Sequence, residues 1–321
     1  MLNNIFSNIY TQIALVFAAL GGLISDQFGG GYFAVIIMAL AVLSYAVYDE
    51  YKKQKLYSKK NISIPLVFNI SNPANSKTAL DALFEILDKE YPSHKKNLKK
   101  YFNIIENDLI FKYDGDIFDE KRFIDFLKIT KHDIKKLEAQ IPQNIHFHIV
   151  YIGPIANAIL IGTMLGTEGV TLYQYNKSSD SYTISLKIDG REYKEHVKEF
   201  KIITKKTIGE VKECVTIAID LASHKVALGK LEEPIVHLES TIGATIKNPK
   251  DFIRANQEIY SVINSLQQTC SHIKLVYSMP TTVALLLGMS VQNYWDIEVT
   301  QFSDGEYKRV VGHLDEIKYY F

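Results

Sequence analysis

Cysteine is scarce in this sequence, which excludes the metal and redox sites that depend on paired thiols. The 321 residues contain two cysteines, Cys214 and Cys270, and neither has a second cysteine or a histidine at metal-ligand spacing. Both lie in apolar stretches. We therefore expect two buried, reduced thiols, which suit a domain in the cytosol.

The sequence also lacks a net charge, because 36 Lys and Arg residues balance 36 Asp and Glu residues. Proteins that bind duplex nucleic acid carry basic surfaces that neutralise phosphates, so no DNA or RNA polymer is expected as a partner. The motifs GxGxxG and GxxxxGK[ST] are both missing. Ordinary dinucleotide binding and NTP hydrolysis therefore lack their fingerprints.

Two long runs without a charged residue occupy the first fifty positions, at about residues 9–25 and 32–48. A transmembrane helix needs about 20 mostly apolar residues, with a lower limit of about 17. A cleaved signal peptide would begin with positive charge, which Met1 to Asn8 do not provide. The sequence thus predicts a transmembrane helical hairpin over residues 1–51, with a tight glycine-rich turn between its helices.

A lysine-rich stretch, residues 52–61, follows the second run and reads as a basic linker. Positive charge beside a span marks its cytoplasmic side. We therefore expect a multi-pass membrane protein that contacts membrane lipid and has both termini in the cytoplasm. Neither run contains an ionisable residue, so a membrane effect would require an oligomer.

The remainder of the chain alternates strand-like and helix-like segments, which is typical of α/β proteins with largely parallel sheets. Apolar runs at residues 64–71 and 145–152 predict strands. Amphipathic stretches at 78–91 and 119–140 predict helices. Residues 170–188 predict a β-hairpin that turns between Asn176 and Ser181.

An internal repeat is the most informative feature of this region. The segments HFHIVYIGPIANAILIG (His146 to Gly162) and HIKLVYSMPTTVALLLG (His272 to Gly288) align without a gap and share seven residues. Each segment is followed by a strand and a tyrosine-bearing stretch. We interpret the chain as two related lobes, residues 62–190 and 191–321.

In each copy, the strand ends at a proline that opens a helix, Pro154 or Pro280. Free backbone N–H groups and the helix dipole at such a position favour a phosphate group. The residues alone leave a second reading open, in which these turns only pack a strand against a helix.

The duplicated strand, turn and small-residue helix resembles the SAVED domain, a fusion of two CARF-like, Rossmann-like lobes. The segment HIKLVYSMPTTVALLLGMSVQNYWDIEVTQF carries the most specific part of the likeness. With the N-terminal hairpin, the chain is similar to two-transmembrane SAVED effectors of bacterial CBASS anti-phage systems. The resemblance implies a cyclic oligonucleotide ligand, with a cyclic trinucleotide as the expected form, made by a cognate nucleotidyltransferase (CD-NTase).

The resemblance further implies ligand-induced homo-oligomers in the bacterial inner membrane, membrane disruption and abortive infection. Ligand-binding positions carried over from the family fall on loops after strands and on the two proline turns. They are Ser71, Asn72, Asn75, Gly153, Pro154, Asn157, Ser223, His224, Ser278, Pro280, Thr281 and Thr282. Because Asn157 corresponds to Val283, the half-sites are expected to differ chemically.

Catalytic residues, cofactors and metals are not expected. His146 and His148 share one strand face, but no third metal ligand is evident, so they are interpreted as satisfied strand histidines. Two alternatives remain open: a membrane-anchored ring nuclease that degrades its cyclic oligonucleotide, and a scaffold that oligomerises without ligand.

Overall fold

The structure, a computed structural model, describes residues 32–58, 61–70, 75–166, 169–243, 246, 248–292 and 294–320. The chain divides into two compact units. The first comprises Met1–Ile62 with Pro142–Asn144, and the second comprises Ser63–Ile141 with Ile145–Phe321.

The first unit contributes one described helix, α1 (Tyr32–Tyr57). This helix covers the second apolar run and continues into the lysine-rich stretch that was interpreted as a linker. Several of its apolar side chains are exposed, namely Ile37, Leu40, Leu43 and Val47. The first predicted span, residues 9–25, lies outside the described residues. Within the part of the chain that the structure describes, no helix combines the length and apolar content of a membrane span.

The second unit begins with a five-stranded sheet in the order β2-β1-β3-β4-β5. The pairs β1–β2 and β3–β4 are parallel, and β4–β5 form the expected antiparallel hairpin. The strands are β1 (Asn61–Asn69), β2 (Ile110–Lys112), β3 (Asn144–Ile152), β4 (Val170–Asn176) and β5 (Ser181–Ile188). The helices are α2 (Ser76–Glu90), α3 (His94–Phe102), α4 (Glu120–Gln140) and α5 (Ile155–Leu165).

A six-stranded sheet follows, in the order β11-β10-β9-β7-β8-β6. Its strands are β6 (Ile203–Ile208), β7 (Cys214–Asp220), β8 (Ile235–Ser240), β9 (His272–Ser278), β10 (Ile297–Ser303) and β11 (Glu306–Val311). Its helices are α6 (Pro249–Leu266) and α7 (Thr281–Val291), and 3₁₀ turns cover Leu228–Lys230 and Leu314–Tyr320.

The two sheets repeat one design, because β1 to β5 correspond in order to β7, β8, β9, β10 and β11. Three pairs of neighbouring strands, β1–β2, β3–β4 and β4–β5, also run in the same relative directions as their counterparts. The second lobe adds β6 at one edge. It has only a short loop and a 3₁₀ turn where the first lobe carries α2 and α3 between its first two strands. The two lobes therefore share a five-stranded arrangement and differ in the added edge strand and in the segment between their first two strands.

Helices α5 and α7 are the repeated small-residue helices, and they pack directly against each other. A Cβ atom added to Gly162 would lie 2.1 Å from the carbonyl oxygen of Leu285, and one added to Gly288 would lie 1.9 Å from that of Ile159. The Thr163 hydroxyl also donates across the contact to the Gly288 carbonyl at 3.4 Å. These reciprocal contacts relate the lobes by an approximate twofold axis, and only glycine permits the approach.

The expectation of two buried thiols is wrong for one cysteine. Both cysteines are free, but Cys214 is exposed whereas Cys270 is buried. Cys214 is the first residue of β7, where the strand leaves a polar loop. An apolar sequence neighbourhood does not bury a residue at the end of a strand.

Replacing Gly288 by alanine is expected to destabilise the second unit by about 3 kcal/mol or more, because the new methyl group collides with backbone across the helix contact. Alanine is otherwise the better helix former by about 1 kcal/mol, so the loss isolates packing. Urea unfolding provides the measurement. Gly229→Ala is the matched control, since its Cβ would meet nothing within 4 Å. Equal stability of the two variants would contradict the packing described.

Candidate functional site

A cavity of about 790 Å³ lies within the second unit, at the carboxyl ends of β3 and β4 and the amino end of α7. Its size falls within the usual range of small-ligand sites, about 300–1,000 Å³. Ligands of α/β proteins commonly bind at this edge of the sheet. The main polar and aromatic lining residues are Asn75, Thr78, Glu85, Lys89, Tyr151, Tyr173, Gln174, Tyr175, Asp180, Ser181, Tyr182, Thr281 and Thr282.

The amino end of α7 supplies hydrogen-bond donors to this cavity. Pro280 holds the N-cap position in an extended conformation, with φ −61° and ψ 143°, and makes no side-chain cap. The first intrahelical bond at this end runs from the Ala284 N–H to the Pro280 carbonyl. The N–H groups of Thr281 and Thr282 precede it and have no acceptor within the helix, so the site favours an anion.

Tyrosines from β3, β4 and β5 form one wall of the cavity. Tyr175 and Tyr182 are cross-strand partners, and their ring centroids lie 5.5 Å apart. The Tyr175 hydroxyl donates to the carboxylate of Asp180. Burial raises the pKa of Tyr173 to about 12, so its hydroxyl stays protonated and polar at neutral pH. Such rings can stack on planar heterocycles.

Charge in the cavity is sparse. Lys89 is the one cationic residue among the described lining residues, and Glu85 and Asp180 are the acidic ones. No histidine or cysteine occurs in that lining. The arrangement offers backbone donors, hydroxyls and aromatic faces, which suit recognition of a polar heterocyclic anion.

The corresponding aromatic pair in the second lobe contacts a loop of the same lobe. Phe302 and Tyr307 pair across β10 and β11 as Tyr175 and Tyr182 do across β4 and β5. Here, however, the Ala227 N–H donates to the Tyr307 hydroxyl at 3.0 Å. The Lys230 ammonium lies 5.8 Å from the Phe302 ring centroid and donates to the Gly305 carbonyl at 2.6 Å. The loop after β7 therefore contacts both rings, while Phe302 remains 46% exposed.

The amino ends of α5 and α7 also differ in whether a side chain of this protein bonds to their free N–H groups. The Gln301 side chain accepts a hydrogen bond from the Ala156 N–H, at 3.3 Å, in the first turn of α5. Gln174 occupies the corresponding place on β4, and it lines the cavity beside the start of α7. The amino end of α5 is thus hydrogen-bonded to a side chain of the second lobe, whereas the amino end of α7 faces the cavity.

Of the predicted site residues, the structure brings Asn75, Thr281 and Thr282 together in the cavity lining. The Thr282 hydroxyl also donates to that of Ser185 at 3.1 Å. Pro280 and Ser278 precede α7, and the Ser278 carbonyl accepts the Leu221 N–H at 2.7 Å.

The other predicted positions lie elsewhere. Gly153 and Pro154 form the turn before α5, and the Tyr151 hydroxyl donates to the Pro154 carbonyl at 2.6 Å. Asn157 is fully buried within α5, and its amide atoms have no hydrogen-bond partner among the described residues. Exposed loop positions after β7 hold Ser223 and His224. Ser71 and Asn72 lie outside the described residues.

Several lining residues were not predicted, above all Tyr173, Gln174, Tyr175 and Tyr182. The tyrosine-bearing segments that follow each repeat were the signal for them. Sequence alone could not show that one copy lines this cavity while its counterpart contacts the loop after β7.

The strand histidines are satisfied within the first lobe. His146 Nε2 lies 2.8 Å from the Thr171 hydroxyl, and His148 Nδ1 lies 2.9 Å from the Tyr173 hydroxyl. These are the contacts expected of buried strand histidines. Burial, with the neighbouring His146, lowers the pKa of His148 to about 3.

A family model described as "SMODS-associated and fused to various effectors sensor domain", or SAVED, matches residues 131–311, more than half of the chain. A search of curated proteins finds no match. A Cap4 SAVED/CARF-domain containing receptor from Acinetobacter baumannii has a similar structure, with a TM-score of 0.50 and 15% identity over 86% of this chain. The chain spans 54% of that receptor's length.

Two further structures resemble the chain less closely. One is the A. baumannii receptor with the cyclic trinucleotide 2'3'3'-cAAA, with a TM-score of 0.47 and 14% identity, covering 86% of this chain and 56% of that one. The other is the Cap4 receptor of Moraxella osloensis, with a TM-score of 0.47 and 16% identity, covering 86% and 54%.

His148 is expected to make the second unit sensitive to acid. The unfolded imidazole binds a proton below about pH 6.5, whereas the folded one does so only near pH 3. Its contribution is therefore complete above about pH 6.5 and is lost as the pH falls toward 3. Between about pH 7.5 and about pH 5 the loss is about 2 kcal/mol.

Urea unfolding of wild type and His148→Gln at both pH values measures this contribution. The variant should show the smaller pH-dependent loss. His132→Gln, at an exposed position of α4, is the control and should follow wild type. An unchanged acid sensitivity in His148→Gln would contradict the assignment.

Proposed function

The chain belongs to the SAVED family of sensor domains, and we propose that its second unit is a receptor for a cyclic oligonucleotide. The phosphates would bind at the start of α7, and the bases would stack on the tyrosines of β4 and β5. The observation that carries this proposal is the meeting of a helix amino terminus and an aromatic wall in one cavity.

The chemistry of the lining supports this class of ligand. A cyclic oligonucleotide combines anionic phosphates with planar bases, so it needs donors at one place and flat apolar surfaces at another. The N–H groups of α7 fit the first requirement, and Tyr175 with Tyr182 fit the second. The Lys89 ammonium adds a counter-charge at the cavity.

Calorimetric titration of the full-length chain tests the proposal. The panel contains cyclic di-, tri- and tetranucleotides together with their linear forms, and it begins with 2'3'3'-cAAA and 3'3'3'-cAAA. We expect saturable binding of one cyclic form and weaker binding of its linear counterpart. Chromatography of the same mixtures separates a receptor from a ring nuclease, which would release linear products.

Thr281→Glu is expected to weaken binding by about 100-fold or more, because a carboxylate in the first turn of α7 repels phosphate at the donor site. Thr207→Glu adds the same charge at an exposed position of the edge strand β6, and it should bind like wild type. Calorimetry with the cyclic ligand that binds wild type measures the difference. Equal affinity of the two variants would remove the phosphate site from α7.

Tyr175→Ala is expected to weaken binding by about 5- to 150-fold, which is the loss of one stacked base at about 1–3 kcal/mol. Tyr294→Ala removes a ring that is 70% exposed and absent from the cavity lining, so it serves as the control. The same titration compares them. If Tyr175→Ala retained full affinity, the aromatic wall would not contact the bases.

The first unit is proposed to anchor the receptor in the bacterial inner membrane, where ligand-driven homo-oligomers would disrupt the bilayer in a CBASS response. Two uncharged runs of 17 residues and the exposed apolar side chains of α1 support this part of the proposal. Both termini would face the cytoplasm, where a cognate nucleotidyltransferase makes the ligand. The cell death of abortive infection would follow from clustered hairpins.

Membrane anchoring predicts that the full-length chain remains with the membrane fraction after alkaline extraction. Leu40→Arg with Leu43→Arg should release it, because each charge within a span costs about 2.5–3.5 kcal/mol. Thr207→Arg with Tyr294→Arg adds the same charge to exposed positions of the second unit and should not. Extraction of the wild-type chain as a soluble protein would end the anchoring proposal without affecting ligand binding.

A further inference from the structure

Two histidines and an aspartate meet at the edge of the second sheet that lies opposite the cavity. His272 is the first residue of β9, and Asp296 immediately precedes β10. These two strands are parallel, with Ile273 beside Ile297, so their amino ends lie together. His313 follows β11 and comes just before the C-terminal 3₁₀ turn.

The side chains converge on one carboxylate oxygen. Asp296 Oδ1 lies 3.1 Å from His272 Nδ1 and 2.8 Å from His313 Nδ1. One potential ligand atom from each residue lies within 4.8 Å of those of the other two. In tetrahedral zinc sites, with bonds of about 2.0–2.2 Å, neighbouring ligand atoms are about 3.3 Å apart. The 3.1 Å separation is close to that edge length, and the 2.8 Å hydrogen bond between His313 and Asp296 would lengthen by about 0.5 Å on metal binding.

From this geometry we infer a zinc-binding site formed by His272, Asp296 and His313. Two imidazole nitrogens and one carboxylate oxygen are a donor set that suits Zn²⁺, and water completes the tetrahedron. The three side chains are between 25% and 51% exposed, so an ion can reach them without local unfolding. The Glu298 carboxylate lies 4.0 Å from His272 Nε2 and adds negative charge beside the site.

The first lobe provides an internal comparison. His146 corresponds to His272 in the repeat, but Gly169 occupies the place of Asp296, and a Cβ there would lie 3.1 Å from His146 Nδ1. The other nitrogen of His146 bonds to Thr171 inside the lobe. In the first lobe His146 Nδ1 instead lies 3.5 Å from the carboxylate of Asp189, which follows β5 as His313 follows β11. The shared frame does not account for the group of three in the second lobe.

A bound ion would have a structural role and would not form part of the ligand cavity. It would join the starts of β9 and β10 to the turn that leads into the C-terminal residues 314–320. We expect it to hold this turn and to leave nucleotide recognition unchanged.

Equilibrium dialysis of the metal-free full-length chain against Zn²⁺, followed by elemental analysis, tests the site. Wild type should retain one more ion per chain than His313→Ala or Asp296→Asn. Zinc should also raise the melting temperature of wild type by about 5 °C, and that of the variants by less. Tetrahedral Co²⁺ absorption should appear in wild type only.

His132→Ala, which removes an exposed histidine from α4, controls for zinc bound by isolated imidazoles and should retain the wild-type stoichiometry. His313 is half exposed, so its replacement is not expected to prevent folding. Equal zinc content and equal thermal shifts in wild type and His313→Ala would overturn the inference. This result is independent of whether a cyclic oligonucleotide binds.

Discussion

The close contact of α5 with α7 is the constraint on which the rest of the second unit depends. Gly162 and Gly288 allow each helix to approach the carbonyl groups of the other. This fixes two α/β lobes about one approximate axis, and it places two helix amino ends and two aromatic hairpins in related positions. The cavity, which is lined by strands of the first lobe and by the start of α7, depends on that packing.

The two lobes share this arrangement but differ in the segments that lie beside their aromatic hairpins. The first lobe carries α2, which lines the cavity with Asn75, Thr78 and Lys89. The second lobe has a short loop instead, and Ala227 and Lys230 of that loop contact Tyr307 and Phe302. The duplicated fold thus presents an aromatic pair that lines a cavity in the first lobe and a pair that contacts the chain's own loop in the second.

The sequence was most informative where local patterns decide structure. The bounds of α5, the β4–β5 hairpin and the pairing of the repeats were predicted, since strand alternation and proline-initiated helices are local signals. Long-range burial was not predictable. Asn157 was expected to face a ligand and is buried, while Cys214 was expected to be buried and is exposed. No sequence pattern pointed to Glu258, yet its buried carboxylate accepts the N–H groups of residues 201–203.

The helices α5 and α7 also differ in their buried interior, at Asn157. Its amide is fully buried without a partner among the described residues, whereas Val283 fills the matching place in α7. A desolvated, unpaired polar group costs about 1–3 kcal/mol. This cost falls on α5, whose first turn is hydrogen-bonded to Gln301. The helix α7, which carries Val283 instead, faces the cavity. Recognition is therefore expected to rest on the well-packed helix, because a rigid donor array binds an anion without first being ordered.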